Sequence, residues 1–213
     1  MARSTIVLLL LASFAVSCNR GVSRIQTLAL SQPNPTTYSF PLAVGDFHAR
    51  ALEAFSTYHQ IEDPIFPVPP EATSLPKGMR LESRFSVELS GAGGCFSSVF
   101  TNLDNDNDIY LQNFTMPFTL SPLYRGRNGG LPFVASFYLH LVAATSGSTV
   151  VTVTAMDAQV INGEHFGAGP CGPGYGWRYE PVKPTTIEEY TILRYLGQYV
   201  GLSNMPSVVF PKK

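Results

Sequence analysis

Apolar side chains fall on every second position of the segment Phe133–Ala143, and this alternation is the strongest fold signal in the chain. Successive side chains of a β-strand point to opposite faces, so the pattern predicts a strand with one face in a core and the other in water. Thr149–Ile161, rich in Val and Thr, predicts a second strand, and the loop 145–148 joins the two as an antiparallel hairpin. The alternation weakens around Asp157, where we expect a β-bulge.

Further strands and two helices are predicted on either side of this hairpin. Alternation over Arg80–Ser90 predicts an earlier strand with one solvated face. Apolar residues at spacings of three and four predict a helix over Asp46–His59 and a longer one over Thr185–Leu202. The apolar stripe of the second helix must be buried against another layer. The chain is therefore predicted to be an α+β domain with a curved antiparallel sheet, an N-terminal helix and a long C-terminal helix.

This order of elements, a strand, a helix, several antiparallel strands and a final long helix, is similar to that of helix-grip domains. The resemblance concerns element order and rests on no sequence motif. It implies a sheet that wraps around the C-terminal helix, with a ligand held between that helix and the sheet. A β-sandwich with peripheral helices is the alternative architecture for the same strands.

The first seventeen residues have the layout of a secretory signal peptide. Arg3 precedes the apolar run Ile6–Val16, and small residues follow it. The run is too short to cross a bilayer, which takes about 20 apolar residues. We expect residues 1–17 to be removed as a signal peptide, residues 18–35 to form a tether, and residues 36–213 to form a single domain.

The stretch Ala15-Val16-Ser17-Cys18 resembles the lipobox of bacterial lipoproteins, although Ala15 stands where that family usually has Leu. In that family the leader is cleaved before the cysteine, and the thiol and the new amino group are acylated, palmitate being one of the chains. The resemblance implies a lipidated Cys18 that holds the protein on a membrane, since stable anchoring takes more than one acyl chain. Ordinary signal peptidase cleavage after Ser17 would instead leave Cys18 free.

Asn19 follows the cysteine, and the family's sorting rules make this residue compatible with the outer membrane. The resemblance therefore implies a lipid-anchored protein of the bacterial cell envelope, on the periplasmic face of the outer membrane. A soluble secreted or periplasmic protein is the alternative. With Cys18 lipidated, Cys95 and Cys171 remain, and two thiols in an oxidising compartment predict one disulfide. Two unpaired buried thiols are the alternative to that bridge.

Charged residues make up 14% of the chain, against roughly 25% in an average soluble domain. Lys plus Arg number 14 and Asp plus Glu number 15, so the net charge is −1. A nucleic-acid-binding surface needs clustered Lys and Arg, and we therefore expect no nucleic-acid partner.

The histidines at positions 48, 59, 140 and 165 lack the short spacing of a metal site, and no catalytic motif is present, so we expect no metal, no cofactor and no catalytic residue. His140 lies opposite the apolar positions of its strand, which predicts a surface histidine. An envelope enzyme that uses His165 or His140 is the alternative, and it requires an Asp or Glu within hydrogen-bond reach.

Tyr175, Trp177 and Tyr179 alternate within a Gly- and Pro-rich segment, 162–184, which is predicted to be a long loop. Aromatic side chains on a loop can stack on sugars or peptides, so these three are the candidate ligand-binding residues. A short strand that closes the core edge is the structural alternative. We expect a non-catalytic binding or accessory domain that recognises a protein, a glycan or an apolar ligand; a structural subunit of an envelope assembly is a further alternative.

Overall fold

A computed structural model describes residues 24–57, 79–89, 92–102, 107–115, 123–126, 129–131, 133–145, 147–169 and 172–211, and for parts of these ranges, chiefly within 79–97 and 164–177, it describes the backbone alone. Within them the elements are β1 (Gln26–Thr27), β2 (Thr37–Phe40), α1 (Val44–Thr57), β3 (Met79–Leu89), β4 (Ala92–Asn102), β5 (Ile109–Thr115), β6 (Tyr124–Gly126), β7 (Gly129–Gly130), β8 (Phe133–Ala143), β9 (Thr149–Gly169), β10 (Gly172–Pro181) and α2 (Ile187–Tyr199).

Seven of these strands form one antiparallel sheet. The order is β10-β9-β8-β5-β4-β3, and β2 pairs with the start of β9. Strand β8 buries every second residue from Phe133 to Leu141, as the alternation predicts. A small second sheet has the order β1-β6-β7. The predicted α+β class with an unclosed antiparallel sheet is therefore confirmed.

Both helices pack on one face of the main sheet, α1 against β3, β4 and β8, and α2 against β2 and β9. The helix predicted over Asp46–His59 starts at Val44 and is described as far as Thr57. The helix predicted over Thr185–Leu202 is shorter, Ile187–Tyr199. No helix in the described ranges is long and apolar enough to span a bilayer.

Tyr195 of α2 joins the two helices. Its hydroxyl donates a hydrogen bond to the carbonyl oxygen of Ala54 at 2.7 Å, and its ring centroid lies 6.0 Å from that of Phe55. Burial raises the pKa of Tyr195 to about 12, so the phenol keeps the proton that it donates. The end of α1 is thus attached to α2 by a hydrogen bond as well as by packing.

Asn34 joins the segment before β2 to the C-terminal tail. Its Nδ2 donates to the carbonyl oxygen of Val209 at 3.1 Å, its Oδ1 accepts from the Val209 amide at 2.7 Å, and its own amide donates to Thr186 Oγ1 at 2.8 Å. Strand β1 also pairs with β6. The part of the predicted tether 18–35 that is described is therefore attached to the domain, while residues 18–23 lie outside the described residues.

A bulge interrupts the pairing of β8 with β9 where the alternation weakens. Val134 lies opposite Gln159 and Ser136 opposite Met156, so β9 contains one extra residue. Asp157, within the bulge, has φ 51°, in the left-handed region. Asp tolerates this conformation better than most residues, because its short polar side chain hydrogen-bonds locally. The predicted bulge is confirmed.

Asp157→Val is expected to lower the free energy of unfolding by about 1–2 kcal/mol, because a β-branched residue is strained at positive φ. Thr154→Val, at an exposed regular position of the same strand, is the matched control and should stay within about 0.5 kcal/mol of the native protein. Urea denaturation measures both. Equal effects of the two substitutions would contradict a strained backbone at Asp157.

Candidate functional site

The segment 162–184 is mostly strand, so the prediction of a long loop there was wrong. Its first part belongs to β9 and its second part to β10, and the two pair as an antiparallel hairpin. Gly and Pro suggested a loop, but cross-strand hydrogen bonds impose strand geometry on the backbone whatever the local propensity. Tyr175, Trp177 and Tyr179 are spaced by two in β10 and therefore share one face of the hairpin.

Two residues of β9 join the three aromatic residues. Phe166 lies opposite Tyr175, and Glu164 lies opposite Trp177. Residues directly opposite one another in an antiparallel pair are on the same face. We call the set Phe166, Tyr175, Trp177 and Tyr179 the aromatic hairpin face. Phe166 was missed in the sequence because only the register of the two strands connects it with Tyr175.

On the other face, the outer part of the hairpin consists of glycine except for His165. Its outer pairs are Gly169 with Gly172, Gly167 with Gly174, and His165 with Gly176. Glycine in a strand provides no side chain to pack and allows another surface to approach the backbone closely. The register separates His165 from the aromatic hairpin face.

Beyond Val160, β9 pairs with no described strand other than β10. A two-stranded hairpin is at best marginally stable by itself. The base of this one is held by Ile161, which is 6% exposed, and by Tyr179, which packs on the core opposite it. Asn162 Nδ2 also donates a hydrogen bond to Glu180 Oε1 at 2.9 Å. Burial raises the pKa of Tyr179, which keeps its phenol neutral.

The cysteines are described only in part. Cys18 and Cys171 lie outside the described residues, and Cys95 lies in β4. At one end of the sheet, β5 stops opposite Val134 of β8, and Val134 also pairs with β9. Past this end, β4 continues to Cys95 and β9 continues into its hairpin with β10. The topology therefore brings Cys95 and this hairpin to the same end of the sheet.

A second cluster of polar side chains lies on β8 and just before β5. Asp108 is 3% exposed and accepts hydrogen bonds from Tyr138 Oη at 2.5 Å, from His140 Nδ1 at 2.9 Å and from the Leu141 amide at 3.3 Å. A carboxylate only accepts, so Nδ1 carries the hydrogen and Nε2 is left for other partners. The His140 side chain is 49% exposed, as predicted for a surface histidine.

Two adjacent glutamates begin α2. Glu188 is 0% and Glu189 7% exposed. Glu188 Oε2 accepts hydrogen bonds from the amide and the hydroxyl of Thr185, at 2.9 and 2.8 Å, and Glu189 Oε1 accepts one from the Ala155 amide at 3.4 Å. Burial raises the pKa of Glu189; the charge of Glu188 adds to this rise, and the amides of Glu189, Ala155 and Thr186 oppose it. Glu188 therefore bonds to Thr185, which lies just before the helix, and Glu189 holds the start of the helix against β9.

Glu189→Gln is expected to remove part of the pH dependence of stability. A carboxyl group whose pKa is raised by folding contributes stability fully below its ordinary value of 4.5, and this contribution is lost as the pH rises through the raised value. The free energy of unfolding of the native protein, relative to Glu189→Gln, should therefore fall between about pH 5 and pH 8. Urea denaturation at both pH values measures this difference, and Glu53→Gln, at an exposed position of α1, should leave the dependence intact. If the free energy of unfolding changed equally with pH in the native protein and in Glu189→Gln, the buried Glu189 carboxyl group would not be the source of the pH dependence.

The space between α2 and the sheet, which the helix-grip resemblance assigns to a ligand, is occupied by side chains of the core. Ile192, Leu193 and Leu196 of α2 are each 0% exposed and belong to one core cluster with residues of β8 and β9. A ligand could enter only by displacing them. An open groove of about 430 Å³ lies instead along α1, lined by Leu42, Asp46, Ala49, Arg50 and Glu53.

In the part of the chain that the structure describes, no group of three or more His, Cys, Asp or Glu side chains could hold a metal ion. Comparison of the chain with protein-family models, with curated proteins and with solved structures gave no match. The aromatic hairpin face and the cluster around Asp108 are the two candidate sites of the described chain.

Proposed function

We propose that the protein is a non-catalytic binding domain of the bacterial cell envelope, held on a membrane by lipid at Cys18, which recognises its partner through the aromatic hairpin face. The observation that carries the proposal is the register of β9 with β10, which places Phe166 beside Tyr175, Trp177 and Tyr179 on one face. Aromatic residues are enriched at recognition surfaces because they contribute large contact areas at low entropic cost.

The position of the hairpin supports a binding role. It extends beyond the last residue of β9 that pairs with β8, so its outer part does not belong to the core of the main sheet. A glycine-rich two-stranded hairpin contributes little to stability, and its aromatic content is better explained by contact with a partner. A protein, a glycan and an apolar ligand are all compatible with such a face.

Trp177 is the single tryptophan of the chain, so its fluorescence reports directly on this face. Isolated peptidoglycan and outer-membrane vesicles are the two probes. One of them should shift the Trp177 emission and protect it from acrylamide quenching, and Tyr175→Ala should weaken this effect. Phe210→Ala, at a residue 49% exposed in the C-terminal tail, is the matched control and should change nothing. The proposal would be contradicted if neither probe changed the Trp177 emission, or if the change persisted in Tyr175→Ala.

The lipid anchor has its own test. Mass spectrometry of the N-terminal peptide of the mature protein should show acylated Cys18. Cys18→Ser should move the protein from the membrane to the soluble fraction. An unmodified N-terminal peptide that starts at Cys18 would favour the soluble alternative.

A disulfide between Cys95 and Cys171 would fix the hairpin to β4. Cys95 and the β9–β10 hairpin lie at the same end of the sheet, which supports the pairing. Strands β5 and β8 separate β4 from β9. The β3–β4 pair and the β9–β10 hairpin would therefore have to bend toward each other to bring the Cα atoms of the two cysteines within about 7 Å. Peptide mapping without reductant should recover the linked peptides, and two alkylated free thiols would contradict the bridge.

The hydrogen bond between Asp108 and His140 favours one second candidate, an enzyme in which His140 acts as a general base. Buried Asp108 orients the ring and leaves Nε2 accessible, as catalysis by a histidine requires. His140→Gln would then abolish a turnover that the native protein shows on envelope polymers, and binding at the aromatic hairpin face would remain. Equal turnover by both proteins would eliminate this candidate.

A further inference from the structure

The face of the main sheet opposite the helices is open over β2, β9 and β8. Nine positions of these strands point away from the core and are not buried: two on β2, four on β9 and three on β8. They are Thr37, Ser39, Val150, Thr152, Thr154, Met156, Tyr138, His140 and Val142. We call this set the open sheet face. Six of the nine carry a hydroxyl or an imidazole, and none is Asp, Glu, Lys or Arg.

A row of hydrogen-bonding groups crosses the open sheet face. His140 lies opposite Thr152, and Thr152 lies opposite Thr37. The two threonine hydroxyls are 3.0 Å apart, and His140 is hydrogen-bonded to Asp108 on the far side. With neighbouring strands about 4.8 Å apart, the row from Thr37 to His140 is roughly 10 Å long.

Two tyrosines border this row and are held in place. Tyr138 is hydrogen-bonded to Asp108, and Tyr110 lies directly opposite Tyr138. The ring of Tyr110 stacks on that of Phe100, 6.0 Å away, and Phe100 is 0% exposed. Because Asp108 and Phe100 are buried, both tyrosines are pre-organised, which lowers the entropic cost of binding.

The chemistry of this face indicates the kind of partner. An anionic polymer or lipid surface needs Lys or Arg, and none is present here. A protein interface is expected to have a contiguous apolar core. Val142 lies opposite Val150, but this pair is separated from the other exposed apolar side chain, Met156, by His140, Thr152 and Thr154. An uncharged saccharide has hydroxyl groups for the polar row and C–H faces that stack on tyrosine rings.

We infer that the open sheet face binds an uncharged oligosaccharide, along the row Thr37, Thr152 and His140 and against Tyr138. This inference is independent of the aromatic hairpin face. In it, Asp108 is a positioning residue, since it reaches the ligand only through His140 and Tyr138.

Calorimetry on the mature protein in detergent, with maltotetraose, cellotetraose and chitotetraose as probes, tests the inference. At least one neutral tetrasaccharide should bind and should shift the ring resonances of His140 in NMR spectra. Thr154→Lys, on the open sheet face, should weaken binding about tenfold or more. Thr27→Lys, at an exposed position of β1, is the matched control and should leave it unchanged. Trp177→Ala should also leave it unchanged, which separates this site from the aromatic hairpin face.

Four results would overturn the inference. They are binding of none of the three probes, equally tight binding of anionic tetragalacturonate, binding that survives Thr154→Lys, and binding that is lost with Trp177→Ala. Shortening of the bound tetrasaccharide would assign the face to catalysis rather than binding. Loss of binding with Trp177→Ala would move the saccharide site to the aromatic hairpin face. The other results leave the partner of that face to the fluorescence experiment.

Discussion

Phe40→Ala should lower the free energy of unfolding by about 3–5 kcal/mol. Phe40 is the last residue of β2 and is 0% exposed. Its ring centroid lies 4.6 Å from that of Phe47 in α1 and 5.3 Å from that of Tyr38. The substitution would open a cavity where the edge of the sheet meets the first helix, and the surrounding helix and strand can only partly fill it.

Phe210→Ala is the matched control for this substitution. The same side chain is 49% exposed at position 210, so its loss should change the free energy of unfolding by no more than about 0.5 kcal/mol. Urea denaturation followed by circular dichroism gives both values, provided that the slope with denaturant stays constant. Similar losses for the two variants would mean that Phe40 is not a core residue.

Asp108→Ala should lower the free energy of unfolding by about 2–3 kcal/mol, because it removes a buried acceptor of three hydrogen bonds. The Leu141 amide would lose its bond to Asp108 in a buried setting, and the hydroxyl of Tyr138 would lose a strong partner. Loss of packing is a small part of this effect, since Asp and Ala differ by only a carboxylate group.

His140→Ala is the comparison for Asp108→Ala. It removes the exposed member of the same pair, and exposed ion pairs and hydrogen bonds contribute about 1 kcal/mol or less. Urea denaturation of the two variants under the same conditions should show a larger loss of unfolding free energy for Asp108→Ala than for His140→Ala. The reverse order would show that Asp108 is not the centre of the cluster. Both substitutions should weaken saccharide binding, Asp108→Ala by disordering His140 and Tyr138.

The aromatic hairpin face and the open sheet face differ in chemistry and in the mobility expected of them. The hairpin has only two strands, and one face of its outer part is mostly glycine. The backbone that carries its aromatic residues can therefore bend. The open sheet face lies on a seven-stranded sheet, and two of its three strands, β8 and β9, are interior strands of that sheet. A flexible contact and a rigid one on the same domain suit recognition of an extended partner, in which the two faces engage different parts.

The hairpin segment shows where local sequence is misleading. Gly167, Gly169, Gly172, Gly174 and Gly176 each favour a loop when considered alone. Across the two strands, the same glycines lie on one face and the aromatic residues on the other. The spacing of Tyr175, Trp177 and Tyr179 was visible in the sequence, but its meaning as a strand face depended on the partner strand. Phe166 and Glu164 could be added only when the register was known.

The cluster around Asp108 shows a second limit. His140 was correctly predicted to lie on the surface, because its strand alternates clearly. Asp108 follows an Asp- and Asn-rich stretch that is typical of solvated turns, yet it is buried. Their contact joins residues 32 positions apart, and pairing of β5 with β8 is what brings them together. No spacing rule along the chain predicts such a pair.

What the sequence determined by itself is local and periodic: the strand β8, the start of β9 with its bulge at Asp157, both helices and the α+β class. These features follow from side-chain alternation and helical spacing, which are set by the geometry of a single segment. The order of strands, the register of β9 with β10, the burial of Asp108 and the filled space beneath α2 were decided only in the tertiary structure. They depend on which segments meet, and that choice is made by the free energy of packing and cross-strand hydrogen bonding over the whole domain.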